Sequence, residues 1–378
     1  MGMPRKKQKH PPVMSHEFVI QNHADILACV AIVIVLGLIS EATSKLSKPF
    51  IFLQYGVTDE TEEEPENPDA PVPFPKEFGR GILDIFAVFF QALMIAVVHA
   101  VIQEYGVDKV SKKLHLSKTK NSKFSESCQL LVWCVGSAGW GIHLLLQNKF
   151  ISNIALLWED YPHSVMSWEN KLFMLIQMAY WFHMYPELYF QKARKEDIPA
   201  RIQYYTLHLI FITGAYILNF WRIAIVIATL HYIAEGVFHG CRIAYFAEKN
   251  EVSSVGFSVW RILFPVARTF ILALSFLMFW FGLGRAENQG IDFATGNFNS
   301  FFIRMICLSA ICLLQAWLMW PFIQLQIRRS KEEKLVKKKT AALAMVKPKS
   351  TKKNQKKSEV DNDVGNGVTT RSGKVKKH

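Results

Sequence analysis

Residues 81–103 read GILDIFAVFFQALMIAVVHAVIQ, and the reading of this stretch decides the fold. At a rise of about 1.5 Å per residue, a run of about 20 apolar positions crosses a hydrocarbon core of about 30 Å. The apolar residues follow neither a period of two nor one of 3.6, as a half-buried strand or a surface helix would require. Seven further runs of this kind occupy 26–41, 129–147, 171–190, 201–220, 222–239, 259–284 and 301–327. The first and sixth are short, and only the Phe220-Trp221-Arg222 turn divides the fifth from the sixth. The chain has 51% hydrophobic residues and 28 Phe in 378 positions, and it is the gathering of the apolar ones into long runs that argues for a membrane protein. The expectation is an all-α, polytopic transmembrane bundle of eight spans.

Charge orients it. Lys and Arg concentrate in cytosolic loops of membrane proteins. With eight spans and a cytosolic N-terminus, 34 of the 44 basic residues fall on the cytosolic side, 7 on the other side and 3 within the runs. Seven spans would put the basic tail opposite the basic N-terminus. Both termini are therefore expected in the cytosol. Residues 1–25 are polar and no small-residue cleavage pattern follows Ser40, so the first run reads as a retained signal anchor. The six cysteines lie in or beside hydrophobic runs, which argues against a disulfide framework, and no CxxC metal pattern occurs.

The chain divides into an N-terminal cytosolic segment (1–25), two spans joined by an acidic, Pro-rich lumenal loop (26–116), a six-span region (117–327) and a basic tail (328–378). The tail carries 17 basic and 5 acidic residues and lacks aromatics, so disorder is expected. It can attract anionic lipid or ribosomal RNA, or simply keep the chain soluble and oriented. Its Lys374 and Lys376 stand where a dilysine retrieval signal of the endoplasmic reticulum would be read.

Several words carry a resemblance: Pro11-Pro12-Val13-Met14-Ser15-His16-Glu17-Phe18, His99-Ala100-Val101-Ile102-Gln103-Glu104-Tyr105, Pro186-Glu187-Leu188-Tyr189-Phe190-Gln191-Lys192, and Gly284-Arg285-Ala286-Glu287-Asn288-Gln289. From about residue 11 to 329 the chain resembles the translocating chain-associating membrane protein family. That resemblance implies an endoplasmic reticulum protein beside the Sec protein-conducting channel. It would contact signal sequences and transmembrane segments of nascent chains and assist their translocation or insertion. One departure is the lack of any Asn-x-Ser/Thr sequon, so glycosylation by that route is not expected.

The resemblance also implies the TLC domain, which ceramide synthases share. Aligned through Gly214-Ala215-Tyr216-Ile217-Leu218-Asn219, their paired histidines fall on Tyr204 and Tyr205. Their His-Asp pair falls on His231 and Tyr232, and their last Asp on Glu235. Acyl transfer needs a base poised near neutral pH, and Tyr, with an unperturbed pKa of about 10, is a poor substitute for His. A non-catalytic protein without cofactor or metal is therefore expected. His231, Glu235 and His239 share one helical face, with His208 on the preceding antiparallel helix. Intramembrane ionisable groups face a protein interior or a wet cavity. These residues read either as a groove for a client or a lipid headgroup, or as a hydrogen-bonded network joining two helices. Arg268 and Arg304 read as pairing with carboxylates or snorkelling. Residues 136–141 (GSAGWG) either let helices approach closely or leave a cleft.

Overall fold

The computed structural model describes residues 12, 15–57, 75–191 and 193–345. The acidic loop, Lys374, Lys376 and the tail beyond 345 lie outside the described residues.

The chain is helical from its first described element. Helix α1 (His16–Gln21) is capped by Ser15, whose hydroxyl accepts from the Phe18 N–H at 3.2 Å. Helices α2 (His23–Leu36) and α3 (Glu41–Ile51) follow. Helix α4 (Asp84–Val101) passes through a π-helical turn (Ile102–Val107) into α5 (Asp108–Lys113). Then come α6 (Lys118–Gln147), α7 (Trp168–Phe190), α8 (Ile198–Ile217) and α9 (Trp221–Phe246). Helix α10 (Asn250–Phe276) continues through a π-helical stretch (Leu277–Gly282) into α11 (Leu283–Arg285), and α12 (Phe301–Met345) closes the described chain. The strands β1 (Gly56–Val57), β2 (Glu77–Phe78) and β3 (Met166–Ser167) form a small antiparallel sheet in that order.

Among the described residues, five helical stretches are long and apolar enough to cross a membrane: Asp84–Lys113, Lys118–Gln147, Trp221–Phe246, Asn250–Arg285 and Phe301–Ala341. Helices α7 and α8 stand where spans are expected but are more polar. Helix α7 in particular is walled in by protein and buries Asn170, Lys171, Gln177, His183 and Glu187. The first apolar run ends earlier than expected, at Leu36 rather than 41. Ser40 takes an extended conformation and opens α3 with Glu41 in its first turn, which favours the positive helix end. The fifth and sixth runs part slightly earlier than the expected Phe220-Trp221-Arg222 turn: Trp221 and Arg222 already belong to α9, and the chain turns at Asn219, whose φ of 60° is one that Asn tolerates.

Several helices outrun the expected runs: α6 begins at Lys118 rather than 129 and α10 at Asn250 rather than 259. Helix α9 reaches Phe246 and α12 reaches Met345, so residues 328–345 are helical where disorder is expected. Between 322 and 345 there is no Gly or Pro, and Glu333 precedes Lys337 by one turn, a favourable pair. Residues 322–345 form a unit of their own.

The core lies where α6 packs on α9, α9 on α10, α4 on α7 and α7 on α8. At the α6–α9 contact, a side chain on Gly141 would collide with Thr229. Trp181, Phe173, Ala224 and Ile225 fill the interior.

One end of the bundle is tied together by polar groups from many loops. Lys171, fully buried, pairs with Asp84 at 2.8 Å and donates to the carbonyls of Gln54 (2.8 Å) and Gly79 (2.7 Å). Tyr216 donates to the same Asp84 at 2.8 Å. Arg80 bonds Asn219, whose amide donates to Gly296 O at 2.8 Å. Tyr161 donates to Leu218 O at 2.9 Å and accepts from the Phe298 N–H at 3.1 Å. At the opposite end, His23 stacks on Phe190 and Arg201 pairs with Glu126 at 3.1 Å. Helix ends therefore alternate between two poles.

His163 lies in the segment between α6 and α7, with Nε2 2.8 Å from Glu159 O. Burial, with Arg222 nearby, pulls its pKa from 6.5 down to about 4. The folded protein declines a proton that the unfolded chain accepts below about 6.5, so stability is lost as pH falls from there towards about 4. Thermal unfolding in detergent should show Tm falling over this window, with His163→Gln flattening part of the fall; an unchanged slope in the variant refutes the assignment.

Candidate functional site

The residues singled out in the sequence do meet, but they meet as a packed network. His208 Nδ1–H donates to Tyr204 O at 2.8 Å, which leaves Nε2 as the acceptor. His231 Nε2 lies 3.1 Å from that nitrogen and 3.2 Å from the Tyr204 hydroxyl. Trp181 stacks on His208 with ring centroids 4.2 Å apart. Tyr232 donates to Gln177 Oε1 at 2.6 Å and receives the Trp181 indole N–H at 3.2 Å. Glu235 pairs with Arg268 at 3.2 Å, and Arg268 also reaches Gln315 at 3.3 Å.

Tyr205 turns aside to pack on Trp181 and Tyr185, and His239 sits buried beside Phe238. The space that remains between His208, His231, Arg268 and Gln315 is about 30 Å³, room for roughly two or three waters. Seven of the sequence-selected residues thus bear on helix packing, and the cavity beside His208, His231 and Tyr232 is small. Arg268 takes a carboxylate as expected. Arg304 does not: it donates to Asn299 Oδ1 at 2.8 Å and to Leu283 O at 3.3 Å, tying the loop before α12 to the start of α11.

The open site lies elsewhere. Helices α4 and α6 diverge over a floor made by α7, leaving a cleft of about 360 Å³. Val98 and Val132, each about half exposed, form its lips; Trp133, Gly136, Ser137 and Tyr180 lie within. The small-residue stretch on α6 therefore does both things its sequence allows. Gly141 admits α9, while a side chain on Gly136 would enter empty space.

At one end the cleft meets a polar vestibule of about 530 Å³, and His99 lines both. Gln191 Nε2–H donates to His99 Nε2 at 3.1 Å and to Glu187 Oε1 at 3.0 Å. His183 Nδ1–H donates to Tyr180 O at 2.6 Å, so its Nε2 faces His99 Nδ1–H at 3.5 Å. Gln129 donates to His99 O at 3.1 Å, and Gln103 bridges Ser125 and Asp108 at 2.6 Å each. The sequence reading missed this cluster. His99, His183 and Glu187 lie inside expected spans and satisfy the same intramembrane-charge criterion that selected His208 and His231.

A family model described as the TLC domain matches residues 123–324. Translocating chain-associated membrane protein 2 of Homo sapiens is 43% identical over 328 residues, 87% of this chain and 86% of that protein. The chain belongs to the translocating chain-associated membrane protein family. The Mus musculus protein of the same name is 42% identical over the same shares of both chains. Sphingosine N-acyltransferase lac1 of Schizosaccharomyces pombe is 24% identical over 156 residues, 40% of this chain and 41% of its own. The histidine network lies wholly inside the TLC domain, whereas the cleft takes one wall, α4, from outside it.

Removing one member of a buried ion pair leaves the other charge stranded, at a cost of about 3–5 kcal/mol. Arg268→Ala and Glu235→Ala should each lower unfolding temperature sharply, with the double variant losing much less than the sum. Strict additivity in this cycle refutes the coupling.

Proposed function

We propose that this protein sits beside the Sec protein-conducting channel of the endoplasmic reticulum and contacts signal sequences and transmembrane segments of nascent chains, assisting their translocation or insertion without catalysis. The observation that carries this reading is the likeness, along nearly the whole chain, to a relative named for translocating chains. The cleft between α4, α6 and α7 supplies the physical means. A client segment with a polar or charged group partitions into lipid at a cost of about 2.5–3.5 kcal/mol per charged residue. Lying across the cleft mouth, it keeps its apolar face on Val98 and Val132 and turns a polar group towards His99, Gln129 or Glu187.

The chain spans the membrane eight times in this reading, with α2 and α3 together making the first passage and both termini cytosolic. The alternation of helix ends between two poles and the distribution of Lys and Arg favour it. The polar vestibule then opens to the cytosol, where the n-region of a signal sequence starts. The basic tail and its Lys374 and Lys376 are assigned to lipid or ribosome attraction and to retrieval.

An acyltransferase reading draws on the TLC domain alone. Against it stand Tyr204 and Tyr205 at the paired-histidine positions and a residual space of about 30 Å³ at His208 and His231. Purified protein given acyl-CoA and a long-chain base is expected to form no amide.

Photocrosslinking decides the main reading. Probes installed at positions 98 and 132 should label a stalled nascent signal sequence, whereas one at Ile262, which is 70% exposed on α10, should not. Equal labelling at all three, or none at any, overturns the proposed berth.

A further inference from the structure

The vestibule combines two opposite electrostatic features within one cavity. Glu104, Asp108 and Glu187 bring three carboxylates to its wall. The start of α6 lines the same cavity, with Lys118, Asn121 and Ser122 in or next to its first turn. Ser117 makes no side-chain capping bond, so the first-turn N–H groups remain open to an anion. Among the described residues neither Glu104 nor Lys118 has an ion-pair partner. One ligand group that bears both a phosphate and an ammonium satisfies both walls.

The adjoining cleft extends this argument. Its volume of about 360 Å³ falls at the small-molecule end of binding sites, which run from about 300 to 1,000 Å³. A client helix is about 10–12 Å across, which lets it rest over the mouth but not be enclosed; a single alkyl chain can be enclosed. Tyr180, 3% exposed, lines the cleft with a hydroxyl that has no hydrogen-bond partner among the described residues. An unsatisfied buried hydroxyl is costly, and its O–H can donate to a ligand carbonyl.

The geometry points to a resident phospholipid, with one acyl chain in the α4–α6–α7 cleft and an ammonium-bearing headgroup in the vestibule, its phosphate at the start of α6 and its ammonium at Glu104 and Asp108. Phosphatidylethanolamine and phosphatidylcholine share this chemistry. The site uses the cleft assigned above but is independent of the client: it concerns what fills the cleft when no nascent chain is present. A client arriving at the mouth would then meet a lipid chain it can displace.

The test uses the full chain in vesicles of equal parts phosphatidylethanolamine and phosphatidylglycerol, followed by gentle extraction and native mass spectrometry. A one-to-one phosphatidylethanolamine adduct is expected. Gly136→Trp fills the cleft from open space and should weaken the adduct about tenfold. Gly139→Trp, equally unobstructed but outside the cleft lining, should retain it. Glu104→Gln combined with Asp108→Asn should shift the preference towards phosphatidylglycerol, with unfolding temperatures confirming that each variant is folded. No adduct in the unaltered protein, or one indifferent to Gly136→Trp, overturns the proposal. Loss of signal-sequence crosslinks in Gly136→Trp without any lipid adduct assigns the cleft to the client and sinks the lipid alone. A lipid adduct without crosslinks at positions 98 and 132 sinks the proposed function alone.

Discussion

The structure depends on one buried cation. Lys171 has no exposed surface, and its ammonium is held by the Asp84 carboxylate and the carbonyls of Gln54 and Gly79. An unpaired ammonium in such a place would be prohibitive, so these four groups must assemble together or not at all. Assembly fixes the start of α4 against the start of α7 and draws in both flanks of the acidic loop. Tyr216, bonded to the same carboxylate, adds the end of α8. With α4 fastened to α7 at that pole, and α6 fastened to α9 through the Gly141–Thr229 contact, α4 and α6 meet near the opposite pole, where Gln129 donates to His99 O, and stand apart beside Val98 and Val132. The cleft is the space between two helices anchored to different neighbours.

The helical character of the chain was legible because lipid enforces it. Backbone groups in hydrocarbon must bond internally, so long apolar runs become helices with little ambiguity. What composition does not encode is which runs are enclosed by protein. Helix α7 buries Asn170, Lys171, Gln177, His183 and Glu187, yet it lies where a span is expected, because most of its surface faces other helices. Helix α12 overruns its apolar run because nothing in 322–345 breaks a helix, a local matter of missing Gly and Pro that a composition-based disorder criterion overlooks.

The site was half legible for a related reason. Helical spacing and the short turn bring His208 and His231 together, and Tyr204, marked by the resemblance, joins them. Spacing cannot report how much room is left once the aromatic rings of Trp181 and Tyr232 have packed in. The cleft needs α4, α6 and α7, which are joined by long connections, so no local pattern announces it. Gly136 is the exception: a small residue in a span either admits a neighbour or leaves a hole, and its surroundings decide which.

The π-helical turn at Ile102–Val107 explains how the cleft acquires a polar end. A π-turn accommodates an extra residue within a helix and so rotates everything beyond it by about 100° relative to the preceding face. Above the turn, α4 shows Met94 and Val98 to the cleft. Within and beyond it, Gln103, Glu104 and Asp108 line the vestibule, with Gln103 held by Ser125 of α6 and by Asp108 itself. A regular α-helix through the same residues would change which of them share a face with Val98. An apolar wall and a charged wall thus lie end to end along one helix, meeting at residues 99–102 where the π-turn begins, an arrangement suited to an amphipathic occupant.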